Sequence, residues 1–295
     1  MRKPLELDPR ASLTALLAAF AGKRVVVVGD LVADHYVYGE TDRISREAPV
    51  LIVRYESAEV KLGGAGNAAA NLRALGTKVT AVGLVGRDEM GARLRELCRK
   101  SSIQLLSPKA PGIETETKTR ILAGGVNTRR QQMLRLDRGH RGLHPESVQQ
   151  ELANLLREAA RDADAVLVSD YGAGVMGPPA IAAAQALAKS GVPVCVDSRY
   201  NLAGMTGLTL AKPNEPELEA LTGMPTDSQA ALLRAIKAAQ KLVGARAPVM
   251  TRGRSGMVVA EKGRLEFIPP HGTKEAVDVT GAGDTVAATL TAALA

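Results

Sequence analysis

Asp278-Val279-Thr280-Gly281-Ala282-Gly283-Asp284-Thr285, near the C-terminal end of the 295-residue chain, is the stretch on which the rest of the reading turns. Gly281 and Gly283 flank Ala282, so the backbone can turn tightly with nothing bulky over its N–H groups. Val286 to Ala295 is a run of small residues that reads as helix. A glycine turn feeding a helix aims several free N–H groups at one point, with the positive end of the helix dipole behind them, and that is an anion site. Asp284 sits inside it. A carboxylate in such a place makes sense if the anion is transient and the carboxylate must take a proton beside it. Phosphoryl transfer to a hydroxyl needs that pairing of N–H donors and a base. The same residue also fits a plain helix cap, because Asp is favoured at helix starts.

The composition suits a buried parallel sheet with Ala-rich helices packed on it. The chain is 45% hydrophobic yet has no Trp, two Phe and five Tyr, so its core must be Val, Leu, Ile and Ala. Cys98 and Cys195 lie far apart in apolar segments, which predicts buried free thiols in a reducing, cytoplasmic setting. No metal-ligand spacing, signal peptide or membrane-length apolar run is present, so no membrane partner is expected. The net charge of +7 comes without aromatic interleaving or a tight Lys/Arg block. That argues against nucleic acid and for anionic small molecules.

From the N-terminus, residues 11–21 pattern as an amphipathic helix. Arg24 to Asp30, RVVVVGD, then reads as a central parallel strand whose polar end faces a ligand crevice. Helices follow at 88–100, 145–161, 178–190, 215–221 and 229–243. Strands follow at 79–84, 165–170, 192–197, 208–211 and 248–251. The alternation predicts a doubly wound α/β fold with a mostly parallel sheet flanked by helices, in one domain spanning 1–295. Short alternating strands at about 35–57 and 112–138 stand apart from it.

Gly63-Gly64-Ala65-Gly66-Asn67-Ala68-Ala69-Ala70-Asn71 matches a dinucleotide fingerprint, which raises an oxidoreductase as the second class of function. The context opposes it: Val60-Lys61-Leu62 is a poor central strand, and the next strand ends in Gly86-Arg87, with no acid for a ribose hydroxyl. Asn214 and Glu217, in Lys212-Pro213-Asn214-Glu215-Pro216-Glu217, are three apart after a strand. They pattern either as a capping box or as a polar pair on one helical face. No Walker P-loop is present, so a nucleotide must be held another way.

Taken together and in order, these motifs resemble those of the ribokinase-like carbohydrate kinases from Arg24 to the end. The octet resembles the D-T-x-G-A-G-D signature, with Val279-Thr280 where many relatives have Thr-x. The resemblance implies that Gly281, Ala282 and Gly283 form the anion hole and that Asp284 is the catalytic base. Gly63, Gly64 and Asn67 match the G-G-x-x-x-N-x-A run, implying sugar contacts, and Asp34 matches the Asp that grips sugar hydroxyls. Asn214 and Glu217 match N-x-x-E, whose Glu positions Mg2+. Thr251, Gly253 and Gly256 resemble the T-x-G-x-x-G segment that holds ATP. The outlying strands would form a β-sheet lid that pairs two subunits into a homodimer.

Asp42-Arg43-Ile44-Ser45-Arg46-Glu47-Ala48-Pro49-Val50 narrows the resemblance to bacterial heptose 7-phosphate kinases, with Arg46 in place of Pro. Lys118-Thr119-Arg120 and Arg135-Leu136-Asp137 look like that group too. It phosphorylates the anomeric hydroxyl of D-glycero-β-D-manno-heptose 7-phosphate on the way to ADP-heptose and lipopolysaccharide core. A sugar phosphate then needs cationic grips, and Lys118 and Arg120 share one face of a strand. Charges guarding an exposed edge strand are the other reading. The chain stops soon after Asp284, which implies a separate adenylyltransferase acting downstream. The stop is also early for the family, whose final helices usually continue. A non-catalytic sugar-phosphate sensor is the contrasting function, and Asp284 argues against it.

Overall fold

The computed structural model describes residues 9–125, 129–140, 142–245, 247–261, 264–271 and 280–295. A lead-in helix, α1 (Pro9–Ala19), is followed by β1 (Arg24–Gly29) and two long strands, β2 (Leu31–Ile44) and β3 (Leu51–Gly64). Next come α2 (Ala65–Ala74), β4 (Lys78–Val82), α3 (Glu89–Lys100), β5 (Ile103–Leu106), β6 (Thr117–Gly124) and β7 (Gln131–Arg138). The alternation resumes with α4 (Glu146–Ala159), β8 (Ala165–Asp170), α5 (Pro178–Lys189), β9 (Val194–Ser198), β10 (Leu210–Ala211), α6 (Glu215–Thr222) and α7 (Gln229–Val243). It ends in β11 (Ala247–Thr251), β12 (Met257–Glu261), β13 (Arg264–Ile268) and α8 (Ala282–Leu294).

Among the described residues nine strands form one sheet in the order β13-β12-β11-β10-β9-β8-β1-β4-β5. Every neighbour pair from β11 to β5 is parallel, and β12 and β13 add an antiparallel edge. This is the expected doubly wound sheet. The period of two along each strand divides its side chains between the two faces. Val26, Val28, Val166, Val168, Val194 and Val196 pack with Leu152 and Leu156 of α4 and with Ala180 and Ala183 of α5. Val25, Val27, Leu167 and Cys195 point the other way, onto Ala68, Ala69 and Leu72 of α2 and Ala287, Ala288 and Ala292 of α8. Alanine on both α2 and α8 lets these helices approach closely, which matters for the site below.

The chain leaves β1 toward β4 on one side, and β8 continues toward β9 on the other. The order therefore reverses between β1 and β8, and a crevice opens beyond their carboxyl ends. Over it stands a second sheet, in the order β3-β2-β6-β7. Its first hairpin is longer than the sequence pattern predicts. Pairing runs from Leu31↔Gly64 to Ile44↔Leu51 across two register shifts, because the bulges absorb the breaks in alternation that make the strands look short. β6 pairs with β2 on one side and β7 on the other, so Lys118 and Arg120 lie on an interior strand. That removes the reading in which they guard an edge; β7 is the edge, and it is exposed along its whole length. β5, β12 and β13 were not foreseen in the sequence.

Candidate active site

α8 begins at the glycine turn. Gly281 is its N-cap with φ 79°, a left-handed conformation that glycine adopts without strain. The first intrahelical bond shown runs from Thr285 N to Gly281 O, so the amides of Ala282, Gly283 and Asp284 lie ahead of it, in the turn where helical N–H groups lack helical acceptors. The capping reading of Asp284 fails here. Gly281 occupies the cap, and the Asp284 side chain makes no capping bond. Its carboxylate is instead buried, with 4% of its surface exposed. Oδ2 accepts from Asn67 Nδ2 at 2.7 Å and Oδ1 from the Tyr171 hydroxyl at 2.6 Å. Burial raises the Asp284 carboxyl above the usual range, opposed by those two donors and by Lys212. Asp278 and Val279 lie outside the described residues.

Asn67 reaches Asp284 because β3 delivers Gly63 and Gly64 to the start of α2. Gly64, with φ 55°, caps α2, and a Cβ there would fall 2.4 Å from Asp30 O. A Cβ on Gly63 would fall 2.2 Å from Asp34 Oδ2. The two glycines thus let β3 pass against two carboxylate-bearing residues. Asp34 accepts from Arg120 NH1 at 2.5 Å, with both side chains mostly buried, and the Arg120 guanidinium lies 5.3 Å from the Tyr36 ring centre. Lys118, on the same strand face as Arg120, places Nζ 5.2 Å from the centre of the Tyr171 ring.

Beyond Gly283 a cleft of about 840 Å³ runs along the carboxyl ends of β8 to β11. Lys212, Asn214, Glu217, Thr251, Gly253 and Gly256 all line it, together with Ala282 and Gly283. Asn214 and Glu217 form the full capping box at the start of α6: Glu217 N donates to Asn214 Oδ1 at 2.8 Å and Asn214 N to Glu217 Oε2 at 2.9 Å. Both residues still face the cleft. Gly253 has open space where a Cβ would stand, whereas a Cβ on Gly256 would collide with Ile268 O at 2.1 Å. The first glycine leaves room for a ligand and the second for β13.

Residues beyond those assigned from the sequence complete the site. Lys212 is 4% exposed and pairs with Asp197 at 3.0 Å. A Cβ on Gly283 would stand 3.6 Å from Lys212 Nζ, so this ammonium sits beside the glycine turn. Burial pushes the Asp197 carboxyl up to about 6 even with Lys212 pulling the other way. Asp30 accepts from the amides of Tyr171 (2.6 Å), Ala173 (3.1 Å) and Val175 (3.3 Å), tying the loop after β8 to the end of β1. The Lys-Pro-Asn-x-x-Glu string contained a signal for Lys212, since a lysine at a strand's carboxyl end faces the crevice. Asp197 and Tyr171 left only their strand-end positions as a clue.

Lys212→Met should lower stability, because it leaves Asp197 buried without its cation. The loss should be larger at pH 8 than at pH 5.5. A carboxyl whose folded pKa lies above its unfolded one is favoured at acid pH and loses stability as pH rises through the folded value. Melting temperatures at the two pH values check this, and equal losses would refute it.

The model of the pfkB family carbohydrate kinases matches residues 23–295. The chain is 41% identical over 288 residues to the bifunctional protein HldE of Caulobacter vibrioides, covering 96% of this chain and 58% of that protein. With the protein of the same name from Halorhodospira halophila it shares 39% over 285 residues, covering 96% and 57%. It therefore spans under three-fifths of these relatives. Among solved structures, Escherichia coli phosphofructokinase-2 in complex with substrates and products superposes with a TM-score of 0.73 at 17% identity, covering 90% of this chain and 84% of that one. Arabidopsis thaliana ribokinase complexed with ribose and ATP gives 0.66 at 23%, covering 90% and 84%. At such identities these two speak for the fold alone. Family model and relatives agree across nearly the whole chain, and the chain belongs to the pfkB family of carbohydrate kinases.

Proposed function

We propose that this kinase transfers the γ-phosphoryl group of ATP to the anomeric hydroxyl of D-glycero-β-D-manno-heptose 7-phosphate, giving the 1,7-bisphosphate. The observation that carries the reaction type is the buried Asp284 carboxylate set in the first turn of α8, beside amides that face the nucleotide-sized cleft. Asp284 takes the proton of the sugar hydroxyl, and that oxygen forms the new bond to phosphorus as the bond to ADP breaks. The amides of Ala282 and Gly283, with Lys212, meet the charge that builds on the moving phosphoryl group. Thr251 and Gly253 border the ATP side, and Asn214 holds the wall of that side by capping α6. The heptose assignment rests on the Asp42–Val50 segment and the kinship with HldE proteins. A kinase for another sugar phosphate is the second reading, favoured if the panel below prefers one.

Among the described residues no group of three or more His, Cys, Asp or Glu could hold a metal ion. Mg2+ suits such a site, because it keeps waters and binds through few carboxylates plus phosphates. Glu217, with Asp197 near it, would orient the ion's water shell, and the ion would neutralise phosphate charge.

Asp34, Gly63 and Gly64 border the sugar. Lys118 is the grip for its far phosphate. Arg120 is paired with Asp34 and has further guanidinium N–H groups with which to meet that phosphate. The second sheet also exposes Ile44, Leu51 and Tyr55 on one hairpin and Leu134 and Leu136 on the edge strand β7. Another copy of this sheet would cover them and close the edge, giving a homodimer. Among the described residues no helix is long and apolar enough to cross a membrane, and Cys98 and Cys195 are free and buried, which fits work in the cytoplasm upstream of an adenylyltransferase.

An ADP-release assay over a sugar panel should give its highest kcat/KM with the heptose 7-phosphate. Asp284→Asn should cut kcat by about two to four orders of magnitude, the usual contribution of a general base. A loss below tenfold would remove Asp284 from that role.

Lys118→Met should raise the KM for the sugar phosphate by about ten- to a hundredfold, the value of one charge-assisted contact, and leave the KM for ATP unchanged. Equal losses with the unphosphorylated sugar would show that Lys118 does not meet the phosphate.

For the dimer, Leu134→Asp combined with Leu136→Asp should give a monomer by light scattering. A wild-type chain that runs as a monomer at micromolar concentration would refute the lid interface.

A further inference from the structure

Tyr171 touches both the proposed base and the proposed phosphate grip. Its ring lies under the Lys118 ammonium, its amide donates to Asp30, and its hydroxyl donates to Asp284 Oδ1. Asn67 occupies the other oxygen. The Asp284 carboxylate therefore has one donor on each oxygen, and each oxygen keeps a further lone pair with which to accept from a sugar hydroxyl. Asn67 is fixed in the first turn of α2, a helix packed on α8, with its amide against Gly281. Tyr171 belongs to a loop that contains Gly172 and Gly174, both at positive φ, and it lines the cleft. Asp30 clamps that loop through three backbone amides, so the hydroxyl is held where it meets Asp284.

We infer that Tyr171 is a positioning residue for Asp284: its hydroxyl holds Oδ1 so that the carboxylate is aimed at the sugar's acceptor hydroxyl. The inference rests on Asp284 being the base. In the free enzyme the bond favours the charged form of a buried carboxylate and aims it. The incoming hydroxyl meets an acceptor already held in place, so little reorganisation remains. The Lys118 ammonium packs on the ring of the same tyrosine. Five groups share the field around Asp284. Tyr171, Asn67 and Lys212 favour its charged form and Asp34 opposes it, while the Asp197 carboxylate lies beside Lys212.

The test is Tyr171→Phe, which keeps the ring and removes only the hydroxyl. A donor to a carboxylate favours its charged form, so removing the donor makes Asp284 easier to protonate. The acid limb of the kcat/KM profile should move to higher pH, kcat should fall about tenfold, and the KM for ATP should stay the same. The same change in an Asp284→Asn background should alter the rate by less than about twofold, because two residues acting through one step are not additive. An unmoved acid limb, or an equal loss in both backgrounds, would overturn the inference. Asp284→Asn alone losing less than tenfold would instead strike down the base on which it rests. Should Tyr171→Phe melt below the assay temperature, replacing tyrosine with 3-fluorotyrosine supplies the second reading. That hydroxyl is a stronger donor, so the acid limb should move to lower pH, and no movement would again overturn the inference.

Discussion

A buried carboxylate needs hydrogen-bond donors, and Asp284 obtains them from two segments far away in the chain: Asn67 lies 217 residues before it and Tyr171 lies 113 before it. Meeting that demand fixes much of the architecture. α2 must lie close enough to α8 for a short amide to bridge them, and the alanines on both helices allow it. The loop after β8 must turn back over the end of β1, and Asp30 holds it there through three backbone amides. Gly281 must be glycine twice over, for its left-handed φ and because a Cβ would fall 2.5 Å from Asn67 Nδ2.

The position of these groups follows from topology as much as from chemistry. β1 and β8 are the neighbours at which the strand order turns, and the polar residues after each converge. Asp30 follows β1 and Tyr171 follows β8, so a backbone clamp and a hydroxyl arrive on the same crevice. α8 brings its N-terminus to the same edge because it packs on the sheet face built from Val25, Val27, Leu167 and Cys195. A parallel sheet aims all its strand ends one way, which is why a site assembled from five strands can share one cleft.

The sequence made visible what local chemistry encodes. The valine run of β1, the alternation of helix and strand, the glycine turn and the Asn214–Glu217 spacing all carry their cause within a few residues. What it left hidden depends on the chain folding back. Nothing near Tyr171 in sequence announces Asp284 as its partner. Lys212 stood in a quoted motif, but its burial against Asp197 exists only once β9 and β10 are adjacent. Asp284 taken alone read equally as a cap or as a base; the whole octet favoured the base, and Gly281 takes the cap. Arg120 and Asp34 were read separately as two grips on a sugar, and they grip each other. The long hairpin was disguised by its own bulges, which break the alternation that strands are recognised by.

That self-pairing bears on how such a site chooses its ligand. Arg120 with Asp34 and Lys212 with Asp197 are cations held by carboxylates in places where water is scarce. An isolated ammonium or guanidinium there would be costly to bury, so the fold supplies each with an internal partner. An anion that arrives must do at least as well as the carboxylate it displaces, or share the cation with it. Such an exchange contributes modest net affinity, but it penalises any ligand that draws the cation away without matching its geometry. In the proposed site these two pairs would therefore act as a test of fit for an incoming anion.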